Sequence, residues 1–220
     1  MIMELEEYLL ANTDPEPEHL KKLFRDANLQ LLYPRMLSGH LQGRLLKMLT
    51  EMIAPKRALE LGTYAGYSAL CIAEGLPEGA TLDTIEIFDE LEPFIERHFK
   101  EVPYADRIRL HIADAMKIVP ELTQRDGRFD MAFIDADKRL YPEYYEMLLP
   151  CMNPGGWILA DNTLWDGKVL NTEKEAGDSR HRLQATAIAR FNEIVTADNR
   201  VEKLILPLRD GLTIIHIKNI

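Results

Sequence analysis

The sequence is poor in cysteine, in positive charge and in long apolar runs. Its two cysteines, Cys71 and Cys151, lie far apart in apolar surroundings. That leaves no room for a disulfide framework or a cysteine-based zinc site, and two buried free thiols in a reducing compartment are expected. No uncharged stretch approaches the ~20 residues needed to cross a bilayer, so no membrane partner is expected. The start, Met1-Ile2-Met3-Glu4-Leu5-Glu6-Glu7, is acidic and has no cationic region. No signal peptide is therefore read, and a cytoplasmic location is the expectation. Lys and Arg total 26 against 36 Asp and Glu, a net charge of −10. A chain this acidic has no general attraction for nucleic acid or an anionic surface. Only a local set, Lys21, Lys22, Arg25, Arg35, Arg44 and Lys47, could contact phosphates, and only if it converged; otherwise it reads as solvated helix faces. Internal repeats, low-complexity tracts and a linker between two domains are also missing.

What is present is a 220-residue chain that is 46 % hydrophobic, enough for one domain with a sizeable core. Residues 1–54 read as a helical extension and 55–220 as an α/β core. In the extension, Thr13-Asp14-Pro15 marks a helix start, Tyr33-Pro34 a break, and Ser38 the cap of a helix carrying Leu41, Leu45, Leu46 and Leu49. Pro55 closes that helix. Five strand–helix alternations follow, with strands at 57–61, 81–87, 108–112, 129–134 and 157–161. A helix from Lys138 to Leu149 leads to a turn at Pro154-Gly155-Gly156. Such alternation dictates a mostly parallel sheet with helices on both faces. Two last strands, 203–208 and 212–217, are joined by the short link Arg209-Asp210-Gly211, as in an antiparallel hairpin.

Polar residues gather where strands end. The apolar run Met131 to Ile134 stops in Asp135-Ala136-Asp137-Lys138, and Trp157 to Ala160 stops in Asp161-Asn162. Gly62 to Gly66 follows the first strand, Glu86 ends the second and Asp114 the third. Taken singly, each acid reads as a solvated strand terminus. Together they lie at the carboxyl ends of parallel strands, where such sheets bind ligands. The glycine spacing is not Gly-x-Gly-x-x-Gly. Tyr64 stands where a second glycine would admit a pyrophosphate, which argues against NAD or FAD. A carboxylate such as Glu86 suits the two hydroxyls of a ribose, and Asp114 could reach an adenine amino group. An adenosine ligand without phosphates fits this set, and S-adenosylmethionine is one.

Glu60-Leu61-Gly62-Thr63-Tyr64-Ala65-Gly66-Tyr67-Ser68-Ala69, with Asp135-x-x-Lys138 and Asp161-Asn162, closely resembles the metal-dependent O-methyltransferases of the catechol and caffeoyl-CoA type. The resemblance runs from about Met36 to the C-terminus. It implies a Rossmann-like, seven-stranded methyltransferase sheet, mostly parallel, with an antiparallel last strand. It also implies roles. Met36, Gly62 and Ser68 would contact the methionine part of S-adenosylmethionine, with Glu60 shaping the same pocket. Glu86 would hold the ribose, and Asp114 and Ala115 would face the adenine. Asp135 would border the cofactor and, with Asp161 and Asn162, bind a divalent metal. Lys138 would stand at the catalytic-base position. Three oxygen donors suit Mg2+, Ca2+ or Mn2+ rather than zinc. Asp137 receives no metal role, and its place beside the substrate differs from the bulky aromatic of the catechol-type animal enzymes.

The expected activity is methyl transfer to a metal-chelated hydroxyl. The acceptor reads as a catechol-like small molecule or as 5-hydroxyuridine of tRNA, the latter known in bacterial relatives. A non-catalytic adenosine-binding or interaction module on the same fold is the alternative. Convergence of the basic residues beside Asp135 would favour tRNA. A mouth lined by Trp165 or Tyr141 would favour a small aromatic. The resemblance also implies a homodimer.

Overall fold

The computed structural model describes residues 5–170 and 179–219. Three helices come first: α1 (Leu5–Ala11), α2 (Glu18–Gln30) and α3 (His40–Ile53). The alternating core follows as β1 (Arg57–Leu61), α4 (Tyr67–Gly75), β2 (Thr81–Glu86), α5 (Glu92–Phe99), β3 (Ile108–Ile112), α6 (Ala115–Asp126), β4 (Phe129–Ile134), α7 (Tyr141–Leu148), β5 (Met152–Asp161), α8 (Ser179–Ala197), β6 (Val201–Leu206) and β7 (Leu212–Ile217). The seven strands form one sheet in the order β3-β2-β1-β4-β5-β7-β6. Strands β1 to β5 are parallel, and β7 is antiparallel to both neighbours. The chain therefore forms the α/β, Rossmann-like methyltransferase sheet with helices on both faces, an antiparallel last strand and N-terminal helices. Among the described residues no helix is long and apolar enough to cross a membrane.

Each inner strand is buried on both faces, which is why these segments are apolar without strict alternation. In β4, Met131 and Phe133 join the core under α2, α3, α4 and α5, while Ala132 and Ile134 join the core under α6, α7 and α8. Helices α2 and α3 thus belong to the packed layer. Leu20, Leu23 and Leu46 are fully buried there, whereas α1 leaves Leu5, Tyr8, Leu9 and Leu10 exposed. Helices α3 and α4 touch closely at Gly75, where a Cβ would lie 2.4 Å from the Lys47 carbonyl oxygen.

Local details differ from the sequence expectation where backbone geometry overrides side-chain preference. Gly39, at φ 77°, caps α3, and Ser38 is buried with its carbonyl accepting from Arg209. Lys138–Leu140 is a 3-10 turn opened by the Asp137 side chain, and α7 starts anew with Pro142 in its first turn. Proline suits a first turn because it lacks the N–H that a helix interior needs. The Pro154-Gly155-Gly156 segment is no turn. It lies within β5, which starts at Met152 and shifts register against β4 between Phe129 and Met131. Pro207 ends β6 earlier than expected. Of the polar loop 162–178, residues Trp165–Leu170 form 3-10 turns, and 171–178 lie outside the described residues.

Candidate active site

Strand order reverses between β1 and β4, and the crevice outside their carboxyl ends collects the expected residues. The chain leaves β1 pinned on both sides. Gly62 N–H donates to the Ile85 carbonyl of β2 at 2.9 Å, and Asp135 N–H donates to the Leu61 carbonyl at 2.9 Å. Gly62 sits at φ 94°, and a Cβ there would lie 2.3 Å from the Asp135 carbonyl oxygen. Only glycine satisfies both conditions. The turn closes at Gly66, whose left-handed backbone caps α4 and places buried Ser68 in its first turn.

Two acids on β1 and β2 face this turn. Glu86 is nearly buried, with Oε2 accepting Tyr64 N–H at 2.7 Å and Oε1 accepting the N–H groups of Ile87 and Phe88 at 2.9 and 3.0 Å. Its orientation is fixed by backbone; Oε1 has both acceptor sites taken, and Oε2 keeps one for a ligand hydroxyl. Glu60 is wholly buried. Its Oε2 accepts from Thr84, while Oε1 has no hydrogen-bond partner. Burial, aided by the Asp135 and Glu86 charges, pushes its carboxyl up to about 8 against the pull of the Ser68 and Thr84 hydroxyls. A buried acid with an unsatisfied oxygen is costly, and a donor or cation arriving there removes that cost. At the rim, Asp114 caps α6 by accepting Met116 N–H at 3.0 Å, Ala115 opens that helix, and Met36 lies exposed in the 3-10 turn Pro34–Met36.

Asp135 and Asp161 end the adjacent strands β4 and β5. Asp135 Oδ1 meets Lys138 Nζ at 2.5 Å, and that lysine is largely covered, lying 5.5 Å over the Tyr141 ring. Asp161 is buried; Oδ1 accepts Asn162 N–H at 2.8 Å and Oδ2 accepts Gln42 Nε2 at 2.7 Å. Burial and the neighbouring Asp135 charge raise its carboxyl to about 6, in spite of Gln42 and Lys138. Asn162 holds a left-handed φ of 59°, with Nδ2 turned toward Asp210 Oδ2 at 3.5 Å. That arrangement turns its side-chain oxygen away from Asp210.

Other expected features fall elsewhere. Lys21 pairs with Glu18, Lys22 with Glu101, Arg25 with Asp26, Arg44 with Glu74 and Lys47 with Glu51. These five are paired within the N-terminal layer and its contacts, while Arg35, the sixth of the set, is exposed in the 3-10 turn Pro34–Met36. Tyr141 is fully buried with its hydroxyl donating to the Ile134 carbonyl, so it supports the site from below and cannot line its mouth. Trp165 is half-buried and starts the 3-10 turns after Asn162. Asp137 pairs with Arg139. Gln42 and Arg209 were not foreseen; the buried glutamine on α3 carried no sequence signal beyond an amide on a helix rich in leucine.

The donor set decides what the crevice can hold. Among the described residues no group of three or more His, Cys, Asp and Glu side chains could hold a metal ion. Two carboxylates and an amide oxygen remain. They are hard donors with poor mutual compensation, which fits an oxygen-seeking divalent cation with open positions and does not fit zinc. The unpartnered oxygen of Glu60 and the spare acceptor of Glu86 fit a ligand bearing a cationic or hydrogen-bonding head and a hydroxyl.

Comparison with known proteins points to methyl transfer to oxygen. Residues 11–218 match the family model described as O-methyltransferase. A caffeoyl-CoA O-methyltransferase of Stellaria longipes is 32 % identical over 215 residues, covering 96 % of this chain and 88 % of that protein. A catechol O-methyltransferase of Niastella koreensis is 33 % identical over 186 residues, covering 80 % of each chain. The crystal structure of the O-methyltransferase TomG from Streptomyces achromogenes, in complex with S-adenosylmethionine, superposes with a TM-score of 0.87 at 28 % identity, covering 99 % of this chain and 100 % of that one.

Proposed function

This chain belongs to the S-adenosylmethionine-dependent O-methyltransferase family of the caffeoyl-CoA and catechol type, and on that premise we propose that it methylates one hydroxyl of a small vicinal-dioxygen compound with the help of a divalent cation. The observation that carries the reading is the row of acids along one sheet edge, Glu86, Glu60, Asp135 and Asp161, in which Glu60 and Asp161 are buried and their carboxyls pushed up. A dication and the donor's ammonium and sulfonium would be drawn to the carboxylates of this edge, while Glu60, which keeps its proton up to about 8, would serve as a hydrogen-bonding group. Mg2+, Mn2+ or Ca2+ would be held by Asp135, Asp161 and the Asn162 side-chain oxygen. Once bound, these groups supply the reactive methyl and a positive charge that stabilises an oxyanion.

The chain's own residues do the rest. Gly62, Ser68 and Glu60 would receive the methionine part of the donor, with Met36 over it from the N-terminal layer. Glu86 would accept from a ribose hydroxyl, and Asp114 and Ala115 would border the adenine. Lys138, which pairs with Asp135 at 2.5 Å as an ammonium, would first give up that proton to solvent and then, as the neutral amine, take the acceptor's proton at Nζ. The acceptor oxygen then forms its bond to the methyl carbon as the carbon–sulfur bond breaks. Alignment of the two substrates, more than any covalent step, is what the fold provides. Lys21, Lys22, Arg25 and Arg44 are paired with carboxylates while Arg35 is exposed; this weakens support for tRNA, and the catechol and caffeoyl-CoA relatives support a small aromatic diol as the acceptor. The test is methyl transfer from labelled S-adenosylmethionine to a panel of catechols and caffeoyl thioesters, with bulk tRNA alongside, in Mg2+ and in excess chelator. Label should enter the diols only with metal. Label in tRNA, or transfer that ignores the chelator, would contradict the reading.

A further inference from the structure

Asp161 is held by a residue from the far side of the sequence. Gln42, on α3, is 1 % exposed, and its Nε2 donates to Asp161 Oδ2 at 2.7 Å across a separation of 119 residues. A side-chain amide presents a donor on one end and an acceptor on the other, so which end faces the carboxylate has to be decided elsewhere. It is decided by Arg209. The Gln42 Oε1 lies 3.3 Å from Arg209 Nη1, and a guanidinium can only donate. Flipping the amide would put its NH2 against the guanidinium and its oxygen against the carboxylate, two repulsions in place of two attractions. Arg209 is anchored in turn by the carbonyls of Leu37 and Ser38, in the loop that leads into α3. It occupies the β6–β7 turn at φ 50°. Its neighbour Asp210 faces the Asn162 amide at 3.5 Å, and the Asp210 carbonyl accepts Leu164 N–H at 2.7 Å. One turn therefore touches the surroundings of both Asp161 and Asn162.

We infer that Gln42 is a positioning residue that aims the Asp161 carboxylate, and that Arg209 fixes the orientation in which Gln42 does so. The inference rests on the reading of Asp161 as a ligand of the divalent cation. It makes the N-terminal layer part of the machinery, since α3 supplies the group that sets a carboxylate at the end of β5.

The full-length protein, stripped with chelator, is titrated with Mn2+ and followed by electron paramagnetic resonance. S-adenosylhomocysteine affinity is measured calorimetrically on the same samples. Gln42→Leu should weaken Mn2+ binding by about 10- to 100-fold, as is usual when the hydrogen-bond partner of a metal ligand is removed. Arg209→Met should weaken it by a smaller factor. Affinity for S-adenosylhomocysteine should stay at the wild-type value in both. Wild-type Mn2+ affinity in Gln42→Leu, with Asp161→Ala unable to bind, would overturn the inference alone. Parallel loss of Mn2+ and S-adenosylhomocysteine affinity in both variants would also overturn it, because the two residues would then hold the fold and not the ligand. Failure of the wild-type protein to bind Mn2+ would instead bring down the metal reading, and the inference with it. Should Gln42→Leu not fold, Arg209→Met, altered at an exposed residue, decides by the same two affinities.

Discussion

The two ends of the sheet handle acidic residues in opposite ways. At the amino end, Asp83 is fully buried but answered by Arg57 Nη2 at 2.8 Å and His111 Nε2 at 2.8 Å. Burial alone would raise its carboxyl, yet the His111 and Arg57 hydrogen bonds outweigh that and hold it below its usual value. Asp130 likewise accepts from the N–H groups of Lys56 and Arg57 and from Asn153. At the carboxyl end, Glu60 and Asp161 are as deeply placed, and both carboxyls are pushed up. A groove of about 460 Å³ lies at the amino end, lined by Pro55, Arg128, Asp130, Asn153 and Trp157 among others. Its size is misleading, because the acid within it already has its partners. Buried acids whose carboxyls are pushed up for want of a cationic partner mark a ligand edge better than volume does.

The contrast can be broken most forcefully at Asp135 and Lys138. Asp135→Ala should abolish metal-stimulated methyl transfer. Lys138→Ala should lower turnover by about 10²- to 10⁴-fold, the usual share of a general base, while calorimetry shows S-adenosylhomocysteine binding unchanged. Loss of that binding would make Lys138 a cofactor or structural group. At the opposite end, Arg57→Leu leaves Asp83 buried with one partner fewer. It should cost about 3–5 kcal/mol in urea unfolding, with turnover per folded molecule at the wild-type level. A stable Arg57→Leu protein with impaired turnover would erase the division between the two ends.

A smaller effect is expected from pH. In the folded chain Glu60 keeps its proton up to about 8, against an ordinary 4.5. Between those values the unfolded chain releases a proton that the folded chain retains, so this group's stabilisation is complete below about 4.5 and is lost as pH rises toward about 8. Thermal unfolding of the metal- and cofactor-free protein should therefore show a shallower decline across that window in Glu60→Gln than in wild type. Equal slopes would mean that Glu60 ionises normally. The smallest effect belongs to Arg128, exposed at the groove of the amino end. Arg128→Ser should change stability by no more than about 0.5 kcal/mol and leave methyl transfer untouched.

The carboxyl-end site was readable because its parts are local. Each of Gly62, Glu86, Asp135 and Asp161 lies where an apolar strand stops, and alternation of strands and helices determines that all strand ends of one kind share an edge. The reversal between β1 and β4 and the adjacency of β4 and β5 follow from the same order. The amino-end pairing was not readable, since Arg57, Asp83 and His111 lie on three different strands and nothing in their spacing announces their contact. Gln42 and Arg209 escaped for the same reason: they are 167 residues apart and meet only through packing of α3 against the β6–β7 turn. The basic residues from Lys21 to Lys47 were read as solvated helix faces unless they converged, and only the fold shows their partners. Their cations are legible in the sequence, but the carboxylates that quench them, Glu74 and Glu101 among them, are brought by the fold. Ser38 and the Pro154–Gly156 segment failed because backbone conformation at Gly39 and sheet pairing at β5 decided against the side-chain preference.

The most direct test of the division between the ends is the number of Mn2+ ions bound per chain by metal-stripped protein, counted by electron paramagnetic resonance in wild type, Asp161→Ala and Arg57→Leu. The division predicts one ion at the carboxyl edge in the wild type and in folded Arg57→Leu, and none in Asp161→Ala. An ion retained by Asp161→Ala, or none bound by the wild type, would contradict it.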